Sequence, residues 1–241
     1  MTMDLEVKKL PRLYVDSVLA LHAPFTLDNA KAHYFRTVLR RQEGHLFRVF
    51  NGRDGEYLAE ITALSKKDGE AIPQKKIQDQ PSSARPLHLL FAPIKKQRMD
   101  FLIEKAVELG VTDLHPVITA HCEVRKINPE RIQAQIIEAA EQCERMTIPI
   151  LHDLCGLKEK LAGKLPPVPV LWCAERQDVP LLSRHTGKTQ AFLIGPEGGF
   201  DDQEIQTLFK QPGITPVSLG NTLYRAETAA LLCLAQVHMQ N

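Results

Sequence analysis

The first third of the chain shows the two-residue alternation of apolar and polar positions that is typical of β-strands. Residues 46–50 (LFRVF) and 57–61 (YLAEI) carry this pattern, and residues 51–55 between them read NGRDG. Asparagine, aspartate and glycine favour the backbone angles of tight turns. The pattern therefore predicts a β-hairpin over residues 46–61.

Residues 28–41 (DNAKAHYFRTVLRR) have helical spacing instead. A helix there would place Phe35, Val38 and Leu39 on one side, and Gly44 lies just beyond its end. Together with the β segments, this helix predicts a small, mostly β domain over residues 1–72.

A linker is predicted over residues 73–86. This stretch, PQKKIQDQPSSARP, is polar, flanked by prolines and without a hydrophobic period. Such a sequence favours an extended connection over a packed element.

After the linker, short apolar runs alternate with amphipathic stretches, which predicts an α/β domain with a largely parallel sheet over residues 87–241. Asp201 and Glu204 have the spacing of a capping box at a helix start. Strands are predicted at residues 87–92, 114–118, 168–174, 191–194 and 217–219, and helices at residues 100–109, 128–143 and 226–239 and after residue 201.

Composition narrows the class of protein. The 241 residues are 44% hydrophobic and 24% charged, which is typical of a globular protein. No apolar run reaches the roughly 18 residues of a membrane span and no signal-peptide stretch opens the chain, so a cytoplasmic protein is expected. The five cysteines are expected to be reduced, and no metal is predicted because the nine histidines lack ligand spacing. A net charge of +1 leaves nucleic-acid binding open.

The sequence LIGPEGGF places three glycines and a proline at residues 195–199, directly after a predicted buried strand. Glycine there either gives the backbone an unusual shape or lets a ligand approach closely. No Lys-Ser or Lys-Thr follows, as a P-loop requires, and the position near the C-terminus argues against a dinucleotide-binding turn. A ligand other than a phosphate and a purely structural turn both stay open.

A second glycine turn, SLGNTLYRAET at residues 218–228, leads into a nearly all-apolar helix. Both turns follow predicted strands. In a parallel sheet the carboxyl ends of strands meet at one edge, where such folds bind ligands. Arg225 and Glu227 lie at the helix start and form either a structural ion pair or part of a reactive site.

IGPEGGF followed by LGNTLYRAETAAL closely resembles the paired C-terminal motifs of the ribosomal small-subunit methyltransferase E family, in the SPOUT class of S-adenosylmethionine-dependent RNA methyltransferases. PRLYVD, HYFRTVLRRQEG, KKQRMDFLIEKAVELGV and EAAEQCERMTIP also resemble family signatures, in family order. The resemblance implies an N-terminal PUA-like β-barrel domain and an α/β domain whose mostly parallel sheet is tied in a trefoil knot. It also implies a homodimer.

The reaction implied by this resemblance transfers a methyl group from S-adenosylmethionine to N3 of one uridine in the decoding region of 16S rRNA, within the assembled small ribosomal subunit. Arg225 is expected to stabilise negative charge on the base, and Glu227 to orient Arg225 or accept a proton. The expected cofactor-binding residues are Ile194, Gly195, Pro196, Glu197, Gly199, Leu219, Gly220 and Leu223. Whether Glu197 contacts the cofactor or only the protein is open.

The expected RNA-binding residues are His33, Arg36, Arg40 and Arg41, a basic face with an aromatic neighbour, together with Gln142 and Arg145. A solvated face is the alternative for both groups.

Two of the departures from the family pattern bear on activity: Thr222 stands where an arginine is usual, and Ala226 where a threonine is usual. They leave open an RNA-binding or assembly factor without catalysis, and ribose 2′-O methylation is a further alternative.

Overall fold

The computed structural model describes residues 5–82, 85–185 and 191–239. Within these residues the chain divides into two compact units, the first containing residues 5–82 and 140–148 and the second the remainder. No helix in the described part of the chain is long and apolar enough to cross a bilayer. Ser83 and Ala84, which belong to the predicted linker, lie outside the described residues.

The described part of the first unit is mostly β-structure. Its elements are α1 (Leu5–Lys8), β1 (Arg12–Tyr14), β2 (Phe25–Leu27), α2 (Asn29–His33), a π-helical turn (Tyr34–Val38), β3 (Leu46–Phe50), β4 (Glu56–Leu64) and β5 (Gly69–Gln78). The strands form one sheet in the order β1-β3-β4-β5-β2. β1 runs parallel to β3, and the other neighbours are antiparallel.

The predicted hairpin is confirmed as β3 and β4, in which Phe50 pairs with Glu56 across the turn. Phe47 and Val49 of β3 are fully buried and pack in one core with Phe35 and Ile61. This core gives the small unit its hydrophobic stabilisation.

The helix predicted over residues 28–41 is an α-helical turn followed by a π-helical turn. The Asp28 side chain caps the start by accepting a hydrogen bond from the Lys31 amide (2.9 Å). Phe35 is fully buried, but Val38 is 61% exposed. The expectation that Val38 shares the buried face is wrong because a π-turn bonds i to i+5, which changes the angular spacing of the side chains.

The predicted linker begins too early. Residues 73–78 form the second half of β5 and pair with β4. Pro73 lies opposite Ala59 at a register irregularity, beyond the last residue that pairs with β2. A proline lacks the ladder-forming amide hydrogen and is tolerated at such a bulge, so it does not end this strand.

Residues 140–148 also fall outside their predicted domain, since they belong to the first unit. The Arg12 guanidinium donates to the backbone oxygens of Ala140 (2.9 Å) and Arg145 (3.1 Å). The Glu141 carboxylate accepts a hydrogen bond from the Tyr14 amide (2.7 Å). These long-range contacts have no periodic signal in the sequence.

The described part of the second unit alternates strands and helices as predicted. Its elements are β6 (His88–Phe91), α3 (Lys96–Glu108), β7 (Asp113–Ile118), α4 (Pro129–Gln142, whose last turn belongs to the first unit), β8 (Ile150–Leu151), β9 (Cys155–Gly156), α5 (Leu157–Leu161), β10 (Val170–Cys173), a 3₁₀ turn (Leu182–Arg184), β11 (Ala191–Ile194), α6 (Asp202–Lys210), β12 (Ile214–Val217) and α7 (Ala226–His238).

The strands of this unit form a parallel sheet in the order β12-β10-β11-β6-β7-β8, and β9 pairs with β7. The largely parallel α/β sheet predicted from the alternation is therefore confirmed. The trefoil knot implied by the resemblance stays a prediction. In the parallel sheet, the carboxyl ends of β10, β11 and β12 lie side by side, and this edge positions the candidate site.

Two local signals near this edge had different outcomes. The capping box at α6 is confirmed, because Asp201 accepts from the Glu204 amide (2.7 Å) and Glu204 accepts from the Asp201 amide (3.1 Å). The strand predicted at residues 217–219 instead spans Ile214–Val217. Pro216 is accommodated within it because β12 is at the end of the sheet, where proline leaves no ladder bond unmade.

Candidate functional site

A cavity of about 600 Å³ lies at the carboxyl ends of β10, β11 and β12. Three loops line it, at residues 174–177, 195–200 and 218–224, together with Ala226 and Ala229 of α7. This volume is in the range of small-molecule and cofactor pockets. All eight residues predicted to bind the cofactor line this cavity: Ile194, Gly195, Pro196, Glu197, Gly199, Leu219, Gly220 and Leu223.

The glycine turn after β11 has its shape for steric reasons. A Cβ atom added to Gly195 would lie 2.6 Å from Cε2 of Phe200, and one added to Gly198 would lie 3.0 Å from Cβ of His121. Gly199 has a φ of 68°, and its amide donates to the carbonyl oxygen of Pro196 (2.9 Å). Larger residues at these positions would fill the space along the loop or strain its backbone.

The Glu197 carboxylate forms an ion pair with the guanidinium of Arg98, near the start of α3. The carbonyl oxygen of the next residue, Gly198, lies 2.9 Å from Nδ1 of His121. Glu197 therefore has a protein partner that holds its loop, which sequence reasoning had left open. The side chains of Arg98 and His121 therefore hold this glycine turn in position.

Arg225 and Glu227 lie at the start of α7, on either side of a cavity-lining residue. Tyr224 and Ala226 line the cavity, whereas Arg225 between them is exposed. Glu227 is only 7% exposed, and its Oε2 atom has no hydrogen-bond partner among the described residues. No ion pair joins the two side chains in the described part of the chain, so the structural ion pair considered from the sequence does not form.

Sequence reasoning missed two cavity-lining residues on β10, Trp172 and Cys173. Trp172 is 1% exposed and packs edge-on against Phe200, with ring centroids 5.7 Å apart. Its indole Nε1 lacks a hydrogen-bond acceptor within the described residues. The Cys173 Sγ atom lies 3.3 Å from Sγ of Cys233 on α7. Their position at the end of a predicted strand was a signal for these two residues, but no glycine turn follows that strand.

The RNA-binding residues predicted near the first helix are in the first unit, with unequal exposure. His33 and Arg40 are exposed, whereas Arg36 and Arg41 are half-buried. Arg36 donates to the backbone oxygen of Ser65 (3.1 Å). The Arg41 Nε atom is buried and has no partner among the described residues. His33 and Arg40 are therefore the side chains of this group most available to a ligand.

Gln142 and Arg145, the other two predicted RNA-binding residues, also belong to the first unit. Gln142 is exposed at the end of α4. Arg145 is half-buried, and its Nε donates to Oγ1 of Thr147 (2.9 Å). Burial lowers the pKa of the Arg145 guanidinium below its ordinary value. The expectation that the pair contacts RNA stays a prediction.

A second cluster lies at the amino ends of β6 and β7, and sequence spacing gave no signal for it. One ligand-type atom from each of His88, Asp113 and His115 lies within 4.8 Å of the other two. Burial lowers the pKa of His115 to about 3, and the nearby charge of Lys160 adds to this effect. Histidine spacing along the chain does not reveal this cluster, because adjacent parallel strands bring distant positions together.

Comparisons with known proteins agree with this architecture. A family model described as an RNA methyltransferase domain matches residues 81–238, and one described as an RNA methyltransferase PUA domain matches residues 27–74. The ribosomal RNA small subunit methyltransferase E of Rickettsia conorii is 33% identical over 235 residues, covering 96% of each chain.

Two solved structures are similar over nearly the whole length. The ribosomal RNA small subunit methyltransferase E from Neisseria gonorrhoeae, bound to S-adenosyl methionine, gives a TM-score of 0.84 at 30% identity and covers 95% of this chain and 97% of its own. A putative methyltransferase from Legionella pneumophila, in complex with the bound cofactor SAM, gives a TM-score of 0.85 at 28% identity, with 96% and 98% covered.

The fold, the cavity at the strand ends and the two domain matches define an RNA methyltransferase of the SPOUT type with an N-terminal PUA-like domain. The fold class implied by the sequence motifs is thereby confirmed. At 33% identity over 96% of both chains, the protein belongs to the ribosomal RNA small subunit methyltransferase E family.

Proposed function

We propose that the protein transfers a methyl group from S-adenosylmethionine to N3 of one uridine in the decoding region of 16S rRNA, within the assembled small subunit. The observation that carries the proposal is the cavity at the carboxyl ends of β10, β11 and β12, which all eight expected cofactor residues line. Relatives of 28–30% identity that hold this cofactor support it.

The cavity fits S-adenosylmethionine by size and by chemistry. Its walls combine glycine backbone with the apolar side chains of Ile194, Leu219 and Leu223, which suits an adenine ring and backbone hydrogen bonds. The close packing of Gly195 on Phe200 requires a residue without Cβ at that wall. The buried Trp172 Nε1 is a hydrogen-bond donor without a partner in the described residues. When bound, this cofactor supplies a methyl group activated by its sulfonium.

The protein's own residues have to make the uracil N3 atom nucleophilic, because N3 carries a proton in neutral uridine. Arg225 is exposed next to two cavity-lining residues, and its guanidinium is always charged. We assign it to stabilising negative charge on the base. Glu227 either orients Arg225 or accepts the N3 proton, and its unpartnered buried Oε2 supports an acceptor role.

RNA binding is assigned to the PUA-like unit and to the end of α4. His33, Arg36, Arg40 and Arg41, with Gln142 and Arg145, are the proposed contacts. Exposed basic and aromatic side chains suit phosphate contact and base stacking, so His33 and Arg40 are expected to contribute most.

A homodimer is part of the proposal. α3 packs against α7. Phe101 of α3 is 43% exposed, Leu232 of α7 is 42% exposed, and Leu223 in the loop before α7 is 58% exposed. A second copy would remove this apolar surface from water. Light scattering on the wild type and on Leu232→Glu tests this, and a monomeric wild type would contradict it.

The reaction is tested with small ribosomal subunits that lack the modification, incubated with the protein and S-adenosylmethionine. Primer extension on the 16S rRNA should stop at one uridine, because a methyl on N3 removes the Watson–Crick edge. The stop should disappear with Arg225→Ala and persist with Arg184→Ala, an exposed arginine outside the cavity.

Other outcomes separate the alternatives. Methyl incorporation without a stop would indicate ribose 2′-O methylation. Cofactor binding by calorimetry without any methyl transfer to this substrate would contradict the proposed reaction and favour an RNA-binding or assembly factor.

A further inference from the structure

A polar cluster occupies the amino ends of β6 and β7, away from the carboxyl ends of β10–β12 that form the cofactor cavity. His88 of β6 pairs with Asp113 of β7, and His115 follows Asp113 by two residues. Side chains two residues apart on a strand share one face of the sheet. The parallel register thus brings residues 27 positions apart along the chain to hydrogen-bonding distance.

Two of the three distances between these side chains are close to the spacing of ligands around a tetrahedral metal. Nδ1 of His88 lies 3.1 Å from Nε2 of His115 and 3.6 Å from Oδ2 of Asp113. Zinc bonds of about 2.0–2.1 Å place neighbouring tetrahedral ligands about 3.4 Å apart. Two edges of the site are therefore already near their metal-bound length.

Further contacts orient these groups as the outer shell of a metal site does. Nε2 of His152 donates to Oδ1 of Asp113 (2.7 Å), and Oγ1 of Thr112 donates to Oδ2 (2.7 Å). The His152 ring also stacks on His115, with centroids 3.9 Å apart. Hydrogen bonds of this kind fix the direction of a ligating carboxylate. His88 and His115 are 8% and 3% exposed, so their rings are held in place.

One charge opposes a cation at this cluster. The Lys160 side chain is 4% exposed, and its Nζ atom lies 2.9 Å from Nδ1 of His115. The cavity that gives access to the cluster also has the carboxylates of Asp153 and Glu159 on its wall. Glu159 pairs with Lys164, which leaves Asp113 and Asp153 as the acidic groups that balance Lys160 and an incoming cation.

We propose that His88, Asp113 and His115 bind a divalent transition metal of the zinc class through Nδ1, a carboxylate oxygen and Nε2. Solvent from the adjoining cavity completes the coordination. The site is independent of methyl transfer. It lies at the amino ends of β6 and β7, whereas the cofactor cavity lies at the carboxyl ends of β10, β11 and β12. Zinc suits this set of borderline nitrogen and hard oxygen ligands.

The test uses untagged, full-length protein treated with a chelator and dialysed. Zn²⁺ binding is measured by calorimetry, and Co²⁺ binding by the visible absorption bands that report tetrahedral coordination. We expect one high-affinity metal per chain and a rise in melting temperature on the order of 5 °C at saturating Zn²⁺.

Variants make the assignment specific. Asp113→Asn and His115→Gln should weaken Zn²⁺ binding at least tenfold, and His152→Phe roughly 10–100-fold. His45→Gln and Cys143→Ser remove other metal-binding side chains outside the cluster and should leave the affinity unchanged. Lys160→Met should strengthen binding, because it removes a buried positive charge next to His115.

The Lys160 variant keeps the proposal falsifiable even where a ligand variant fails to fold. The proposal is overturned by wild-type protein that shows no saturable Zn²⁺ or Co²⁺ binding in the micromolar range. It is equally overturned by folded Asp113→Asn and His115→Gln variants with wild-type affinity, or by weaker binding in Lys160→Met.

Discussion

Gly195 and Phe200 are packed so closely that no side chain fits between them. A Cβ atom on residue 195 would lie 2.6 Å from Cε2 and 3.1 Å from Cδ2 of the phenylalanine ring. Phe200 in turn packs edge-on against Trp172, which belongs to the core of the second unit. The glycine turn beside the cavity is thus anchored to the interior of the sheet, which links its shape to the stability of the domain.

Gly195→Ala is expected to destabilise the protein by about 1–3 kcal/mol, since the new methyl group must displace the Phe200 ring. Urea unfolding measures the change. Gly156→Ala is the matched control, because a Cβ there meets nothing within 4 Å and the backbone φ is −73°.

Phe200→Leu in the Gly195→Ala background should recover part of the loss by making room for the methyl group. Strict additivity of the two substitutions would contradict the steric explanation.

Glu204 is expected to contribute more to stability than Asp201, its partner in the capping box. Its Oε2 atom accepts from the Asp201 amide, and its Oε1 atom accepts from the Ala120 amide (2.8 Å). Asp201→Ala removes one capping contact and should cost about 1 kcal/mol. Glu204→Ala removes two contacts and should cost more in the same unfolding experiment.

Gln203→Ala, in the same turn of α6, should change the free energy of unfolding by less than about 0.5 kcal/mol. An equal loss in the Glu204 and Asp201 variants would show that the bond to Ala120 contributes nothing.

The ion pair between Arg48 and Glu144 should make stability depend on pH. Arg48 donates to Glu144 Oε1 (2.6 Å), and this hydrogen bond lowers the carboxylate pKa below its ordinary value of 4.5. A lowered pKa in the folded state stabilises the protein above pH 4.5, and that contribution is lost as the pH falls through the folded pKa. Glu144→Gln should therefore be less stable than the wild type at neutral pH.

The difference should shrink in acid as the pH falls below 4.5 and should be about 1 kcal/mol or less at its largest, because the Glu144 side chain is 52% exposed. Glutamine suits the comparison, since Glu144 has a φ of 59° and a glycine would also relieve backbone strain. A difference between the two proteins that grows in acid would contradict a stabilising ion pair at Glu144.

The cysteines should react with an alkylating agent in the order of their exposure. Cys143 is exposed, whereas Cys122, Cys155 and Cys233 are buried. The pKa of Cys233 is raised by its hydrogen bond to Cys173 and by burial, which lowers its thiolate fraction. Brief treatment of the folded protein with iodoacetamide should therefore modify Cys143 before the half-buried Cys173 and the three buried cysteines, as mass spectrometry of peptides would show.

Cys143→Ser should abolish this modification, and unfolding in denaturant should expose all the thiols. Labelling of Cys233 in the folded protein at the rate of Cys143 would contradict the buried position of α7.

Sequence alone determined the features that depend on near neighbours. The hairpin at Phe50 and Glu56, the capping box at Asp201 and the glycine turns follow from backbone preferences within a few residues. The motifs around Gly195 and Arg225 identified the family and the residues that line the cavity. The alternation of strands and helices predicted the parallel sheet.

Tertiary structure decided what depends on distant partners. Pro73 is tolerated in β5 at a register irregularity, and Pro216 is tolerated in β12 because that strand is at the end of its sheet. No local pattern reveals either position. Residues 140–148 joined the first unit through Arg12 and Tyr14. His88 and His115 met through strand pairing. Periodicity specifies which face of an element is apolar. Pairing and register between elements depend instead on the packing of the whole chain. Strand pairing and register therefore determined the positions of the residues that sequence analysis missed.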